Sequence, residues 1–321
     1  MIIVEYPVAA VLKLWHLLLA DVLGIAPNVA WVGAVVLLVL TFRLMLLPLA
    51  YRQIKSGRVL ANLRPQMREI RERYEGKTDP ESRRELRRAR QEVQSANDYK
   101  LRDGCLPLLI QLPVLIGLYR LLLRIARPEE GLNSAHSGYG PLSATDFTTF
   151  LDARLFGVPL PTYASMAEGE LQSLGTSGSE VLTVALPLII MASVFTTANF
   201  IYSTSRTLRT VDYSQGFARF VSKFMIFMGP LILFFPWVFG LFGPAPIALL
   251  LYWVCNNLWT AVQSYAIQSH LDKHYPYTDE FWEYFATQKQ LHKENRAAKK
   301  NRLSQPPNQN ALNSPDEQPS E

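Results

Sequence analysis

The sequence predicts an all-α, polytopic membrane protein: a five-transmembrane-helix core, a cytoplasmic helical hairpin and an N-terminal external amphipathic helix. Three observations carry this. Five apolar stretches, at 29–51, 104–126, 181–203, 221–241 and 245–268, contain no Asp or Glu. Each is near the ~20 residues of helix that cross about 30 Å of hydrocarbon. Charge between the stretches is segregated by segment, and polar residues recur on single faces within several of them. Backbone groups in lipid must be bonded internally, so such stretches are helices.

Residues 1–28 are apolar but interrupted by Glu5, Lys13, His16 and Asp21. They lack the basic start and small-residue cleavage site of a secretory signal. A helix lying in the outer interface suits this mixture, with a sixth span as the alternative. The segment 52–103 holds 15 Lys/Arg against 9 Asp/Glu, whereas 127–180 holds two Arg against 7 acids. The connection 204–220, with its flank, carries Arg206, Arg209, Arg219 and Lys223. Basic segments stay on the cytoplasmic side, so the N-terminus is expected outside and the C-terminus inside a cell inner or plasma membrane. Arg120 and Arg124, at the expected outer end of the second span, oppose this weakly.

Within 52–103, Leu60, Leu63, Met67, Ile70 and Tyr74 form one apolar stripe, and Leu86, Ala89, Val93 and Ala96 form a thinner one. Between them Asp79 and Pro80 suit an N-cap and first helical position. This predicts a helical hairpin with a weak seam; a solvated charged linker is the simpler alternative. The loop 127–180 is expected to carry one compact apolar piece, 147–163. Residues 269–321 read as a basic tail, with six Lys/Arg and one Glu over 289–302, followed by a disordered Pro/Asn/Gln/Ser-rich end.

Arg43 lies within the first apolar stretch. A guanidinium at such depth costs roughly 2.5–3.5 kcal/mol on insertion scales and marks a functional candidate. Snorkelling to the headgroups or a structural carboxylate partner is the simpler reading. No span offers that carboxylate. Trp253, Asn256, Thr260 and Gln263 recur at 3,4,3 spacing with Tyr252 and Asn257 beside them; Gln111 lies between Pro107 and Pro113; Thr196, Thr197 and Asn199 share the third span. Asn and Gln commonly glue helices together for about 1–2 kcal/mol or less each. Glue alone leaves Arg43 unexplained, so a hydrated hollow holding one fixed positive charge is expected.

Catalysis finds no support: there is no phosphate-binding Gly-Lys-Ser/Thr loop, no HExxH and no intramembrane Asp pair. Ser193 and Ser203 have no histidine at their depth to act as base. The histidines and the two cysteines, Cys105 and Cys255, show no metal or disulfide spacing, and no cofactor is called for. No internal repeat suggests an inverted-repeat transporter.

The segments Arg43-Leu44-Met45-Leu46-Leu47-Pro48-Leu49, Gly104 to Pro113 (GCLPLLIQLP) and Leu251 to Leu258 (LYWVCNNL), in this order around a basic hairpin, resemble the YidC/Oxa/Alb family of membrane protein insertases. Phe150 to Gly157 (FLDARLFG) is similar to the external loop of its short, Gram-positive or actinobacterial members without a large periplasmic domain. The chain departs from the usual pattern at Lys100-Leu101-Arg102-Asp103-Gly104, at Pro244-Ala245-Pro246-Ile247 and at Val39. The resemblance implies a hydrophilic groove open to the cytoplasm and the bilayer, with Arg43 as its charge. It also implies Tyr252 and Trp253 as an aromatic contact surface and Leu112 and Leu115 as substrate-contact positions beside Gln111. With Asn199 and Asn256 these form the expected substrate groove. Expected partners are nascent membrane proteins, the lipid bilayer, the ribosome through the basic tail and hairpin, and the Sec translocon. The alternatives are a small-solute or anion transporter or channel using Arg43 as its selectivity charge, and an assembly chaperone that does not insert.

Overall fold

The computed structural model of the protein describes residues 2–77, 79–97, 99, 102–126, 138–213 and 216–304; the side chains of 2–4, 102–112, 126 and 302–304 lie outside the description. The described chain is almost wholly helical. The long helices are α1 (Ile2–Leu17), α2 (Pro27–Asn62), α3 (Arg64–Arg73), α4 (Pro80–Ala96) and α5 (Arg102–Ala126). After the short α6 (Ala144–Leu151) and α7 (Glu168–Ser173) come α8 (Gly178–Leu208), α9 (Gly216–Phe242), α10 (Ile247–His274) and α11 (Asp279–Ser304). One two-stranded antiparallel ribbon, β1 (Arg154–Leu155) and β2 (Val158–Pro159), follows α6. Its turn residues Phe156 and Gly157 both have positive φ, 50° and 87°, the conformation that a two-residue hairpin needs and that glycine adopts most readily.

Among the described residues α2, α8 and α9 are long and apolar enough to cross a membrane. Helix α10 is continuous, but its apolar run is interrupted by Asn256, Asn257, Thr260 and Gln263. Side by side the helices run α9, α8, α10, α2, α5, with α1 laid against both α2 and α5. The bonded pairs advance in step, Arg43 with Asn256 and Arg58 with Asp272, Asn257 with Thr196 and Asp272 with Arg206. Helices α2, α8 and α10 therefore point the same way. Gly240 lets α9 approach α8 closely, since a Cβ there would meet Ile189 Cδ1 at 2.7 Å. Small residues serve that purpose at helix seams in lipid, where close backbone approach replaces the hydrophobic drive.

Local sequence explains the helix starts. Pro27 opens α2, and the Asp79 side chain accepts from Ser82 N ahead of Pro80 at the start of α4. Ser143 with Asp146 and Ser177 with Glu180 form reciprocal capping boxes at α6 and α8. Helix α2 continues to Asn62, eleven residues past Tyr51, where the sequence reading ends the first span. Nothing between Arg52 and Asn62 stops a helix; Pro65, in the first turn of α3, is the first residue that cannot extend one. Helix α4 packs on α3 but buries no residue fully.

One end of the molecule is held by α1 and α6. Glu5, 2% exposed, pairs with Arg120 (Nε to Oε1, 2.9 Å) and accepts from Tyr139 OH at 2.5 Å. The Arg124 guanidinium lies 4.4 Å over the Tyr139 ring. Both arginines that oppose the charge-based orientation thus have local partners. Lys13 Nζ reaches Asp146 Oδ2 at 2.8 Å and donates to the Pro141 carbonyl at 2.9 Å. Burial alone would raise the Asp146 carboxyl, but bonds from Lys13 and Ser143 outweigh it and hold it below the usual carboxylate range. His16 stacks on Trp31 at 3.8 Å, and burial pushes its imidazole below the ordinary histidine value. Trp31 is fully buried and donates to Thr149 Oγ1 at 3.1 Å.

The other end, which carries the hairpin, is built around Arg58. Its Nη2 donates to Gln268 Oε1 at 2.7 Å and pairs with Asp272 Oδ1 at 2.8 Å. Its Nη1 donates to the Tyr275 carbonyl at 3.3 Å, and the guanidinium sits 4.9 Å from the Tyr277 ring. Asp272 also accepts from Arg206 Nη1 and Nη2, at 3.1 and 2.6 Å. One carboxylate therefore ties α2, α8 and α10 together.

Within 269–321, read from the sequence as a basic then disordered tail, residues 279–304 form helix α11, which takes in the first four residues of the end expected to be disordered, 301–321; residues 305–321 lie outside the described residues. The first half of α11 docks through aromatic groups. Phe281 is fully buried under the Arg64 guanidinium, 5.8 Å from its ring. Tyr284 lies 5.9 Å from Arg68, and Tyr213 packs on Phe285 and His292, both at 5.7 Å. Asn62 Nδ2 donates to the Pro276 carbonyl at 3.1 Å while its Oδ1 accepts from Thr278 N at 3.3 Å. Tyr277, Phe281, Tyr284 and Phe285 recur at helical spacing, a stripe masked by the basic run that follows it.

Arg58 is nearly sealed from solvent, so removing its anion leaves a buried charge behind, whereas removing the arginine does not. Asp272→Asn should cost about 2 kcal/mol of stability and Arg58→Met less than about 1 kcal/mol, read as thermal unfolding in detergent. The Arg206 guanidinium first, with Arg58 adding to it against the opposing effect of burial, holds the Asp272 carboxyl below its ordinary range. Its contribution is thus complete above the unfolded carboxylate value of about 4 and disappears as pH falls through the depressed folded value. The stability gap between the native protein and Asp272→Asn should close on acidification toward pH 3 and stay constant from about pH 5 to 8.

Candidate functional groove

Arg43 projects from α2 toward α10, where Asn256 and Thr260 stand one helical turn apart and face it. Its Nε donates to Asn256 Oδ1 at 2.8 Å and its Nη2 to Thr260 Oγ1 at 2.9 Å. The Thr260 hydroxyl donates to the Asn256 carbonyl at 2.7 Å, so its lone pairs remain available to the arginine. Both partners are neutral acceptors. Among the described residues no carboxylate pairs with Arg43, and its charge stays uncompensated while its geometry is fixed.

The opposite flank of α10 bonds to α8. Asn257 Nδ2 donates to Thr196 Oγ1 at 2.9 Å and to the Trp253 carbonyl at 3.1 Å; Asn199 Nδ2 donates to the Asn257 carbonyl at 2.8 Å. Along α8 the hydroxyls of Ser193, Thr197 and Thr204 are buried without a partner among the described residues, as is that of Ser56 on α2.

Toward the α6 end, aromatic rings close the space. Trp253 meets Phe235 and Phe239 edge-on at 5.6 and 6.2 Å, and Tyr119 of α5 approaches Phe239 at 5.9 Å. Tyr252 is 5% exposed, one turn before Asn256. Leu115 of α5 is exposed, as are Leu44 and Met45 beside Arg43.

Of the residues singled out in the sequence, Arg43 and Asn256 are joined directly, with Tyr252 and Trp253 in the turn before them. Asn199 sits on the other side of α10, engaged to Asn257. Leu115 lies on α5, and the side chains of Gln111 and Leu112 fall outside the described residues. Thr260 completes the arginine's cradle and was legible as the residue four after Asn256. The ring partners Phe235 and Phe239 were not, because α9 is phenylalanine-rich throughout and nothing in its pattern marks those two.

Residues 23–274 match the 60Kd inner membrane protein family. The chain is 40% identical over 296 residues to a protein of Corynebacterium efficiens named membrane protein insertase YidC, covering 92% of this chain and 75% of that one. A protein of the same name from Corynebacterium glutamicum is 41% identical over 292 residues, with 91% and 69% covered. One from Mycobacterium leprae is 31% identical over 280 residues, with 84% and 70% covered. These relatives are named for insertion and not for a catalysed reaction. With its apolar helices the protein is a multi-pass membrane protein, and the chain belongs to the 60Kd inner membrane protein (YidC/Oxa1) family.

Proposed function

We propose that the protein is a membrane protein insertase that works through a hydrophilic groove charged by Arg43 and open to the cytoplasm. The observation that carries this is the guanidinium held between Asn256 and Thr260 with no carboxylate beside it. An arginine used as structural glue would be neutralised; one kept charged and aimed can attract an anionic group. The names of the relatives support the same activity, with nascent membrane proteins and the bilayer as its partners.

In this reading five segments cross the membrane, 29–51, 104–126, 181–203, 221–241 and 245–268. The hairpin and C-terminal helix face the cytoplasm, and α1 and α6 lie outside. A nascent apolar segment with a short acidic tail enters from the cytoplasm. Arg43 draws the carboxylates into the hollow, and the membrane potential favours moving an anion outward by about 2.3 kcal/mol per charge per 100 mV. Gln111 and Leu112 on α5 and the α8 face bearing Asn199 border the path. The apolar segment passes Trp253, backed by Tyr252, and Leu115, and leaves into lipid, driven by burial of its own surface. No energy-coupling site is required. The ribosome meets the basic half of α11 and the hairpin, and the Sec translocon is a further partner.

Arg43→Ala should slow insertion of clients with acidic translocated tails about tenfold, equivalent to ~1.4 kcal/mol, while Arg43→Lys keeps most activity. Proteoliposomes and depleted cells measure this; full insertion by Arg43→Ala would sink the charge-attraction step. Chloride or solute flux through the proteoliposomes without a client would favour the channel reading instead. A photoreactive group at position 253 should crosslink to a stalled nascent chain. Crosslinks to folded membrane proteins alone would point to an assembly chaperone.

A further inference from the structure

At the hairpin end, α3 and α11 lie side by side and leave a cleft of about 640 Å³ between them. From α3 it is lined by Arg68 and Glu69, and from α11 by Glu280, Glu283, Tyr284 and Gln288. Two features set this cleft apart from an ordinary groove between helices. The first is its charge: three carboxylates face one guanidinium, and Arg68 is already paired with Glu72. None of the three carboxylates has an ion-pair partner among the described residues. This occurs within a strongly basic neighbourhood, since the segment 52–103 carries 15 Lys/Arg and the second half of α11 six. The second is Gln288, a lining residue only 6% exposed, whose buried Nε2 has no hydrogen-bond partner. A buried amide donor left unpaired costs roughly 1–3 kcal/mol, and an acceptor entering the cleft would recover it.

We propose that this cleft binds an extended peptide segment bearing Lys or Arg. Glu69, Glu280 and Glu283 receive the cationic side chains, and Gln288 Nε2 donates to a backbone carbonyl of the segment. The lining positions on α11 span eight residues, about 12 Å at 1.5 Å per residue, which matches three or four extended residues at ~3.3 Å each. The proposal rests on the insertase reading for its occupant. The positive-inside rule leaves Lys and Arg of an inserted client on the cytoplasmic side, the side assigned to α3 and α11 by their charge. Arg43 then draws the acidic tail of a client while the cleft, at the root of the hairpin, retains its basic flank. The two sites select opposite signs at opposite ends of one segment.

The test is peptide binding to the full-length protein in nanodiscs of phosphatidylcholine, whose zwitterionic surface does not itself collect cations. Fluorescence anisotropy would compare a short labelled peptide carrying four Lys with the same peptide carrying four Gln or four Glu. The Lys peptide should bind, more tightly in low salt, and the Glu280→Gln/Glu283→Gln pair should weaken it about fivefold or more. Gln288→Ala should weaken it about threefold with little change in salt dependence, because it removes a neutral bond. Both variants are checked for unchanged thermal unfolding, and Glu69→Gln is the substitute if either is destabilised. Equal binding of the Lys peptide to the native protein and the carboxylate variants would overturn the proposal, as would absence of binding or a preference for the Gln or Glu peptide. Insertion of acidic-tailed clients depends on Arg43 and is measured separately, so loss of the cleft proposal leaves the insertase reading standing, and the reverse result is equally visible.

Discussion

The architecture turns on α10 meeting two neighbours through hydrogen bonds on opposite flanks. On one flank Asn256 and Thr260 hold Arg43 of α2, and on the other Asn257 is fixed to Thr196 and Asn199 of α8. In an apolar surrounding these groups have no alternative partners, so the register of three helices is set by a few side chains. A slip of one residue would turn Asn256 and Thr260 about 100° away from the arginine, since each residue advances a helix by that angle. The same requirement accounts for the amide and hydroxyl residues Asn256, Asn257, Thr260 and Gln263 in the middle of α10. Its polarity holds the layer together and also leaves the arginine charged.

The two ends of the molecule are fastened by different means. At the α1 and α6 end, paired ions lie beside a fully buried indole, and the contacts combine charge with apolar packing. At the hairpin end a single carboxylate, Asp272, is shared by Arg58 and Arg206 and is partly exposed, so solvent and salt moderate its strength. Beyond that clamp α4 buries nothing fully. Its opening free energy lies at the low end of the range found within one protein, because few apolar contacts must be broken. Rigidity therefore declines along the chain from the tryptophan-centred end, through the arginine seam, to the tip of the hairpin.

The long apolar stretches, the hairpin and Arg43 were legible because each depends on local composition or period. Asn256 was legible for the same reason, as a polar residue at helical spacing with its neighbours. The extension of α2 to Asn62 was also written locally, in the absence of a breaker before Pro65, but the abrupt onset of charge at Arg52 obscured it. Helix α11 was hidden in a similar way, its aromatic stripe masked by the six cations that follow it. The roles of Arg58 and Asp272 were out of reach, since a charged residue near the end of an apolar stretch reads as solvated until its partner 214 positions away is seen beside it. Glu5 and Arg120 belong to the same category.

The length of α2, which continues through Pro48 between Arg43 and Arg58, has a mechanical consequence. Its 36 residues make a rod of about 54 Å, well beyond the ~30 Å of a bilayer core, with Arg43 near the middle and the hairpin root at one tip. Arg58 lies 15 residues, about 22 Å, from Arg43 along that rod and acts as its fulcrum. A tilt of 5° about the fulcrum displaces the guanidinium by about 2 Å, enough to carry a 2.8 Å hydrogen bond out of range. The hairpin root is thus on the short arm of a lever whose long arm carries Arg43. A load on the hairpin and the aim of Arg43 are two readings of one angle.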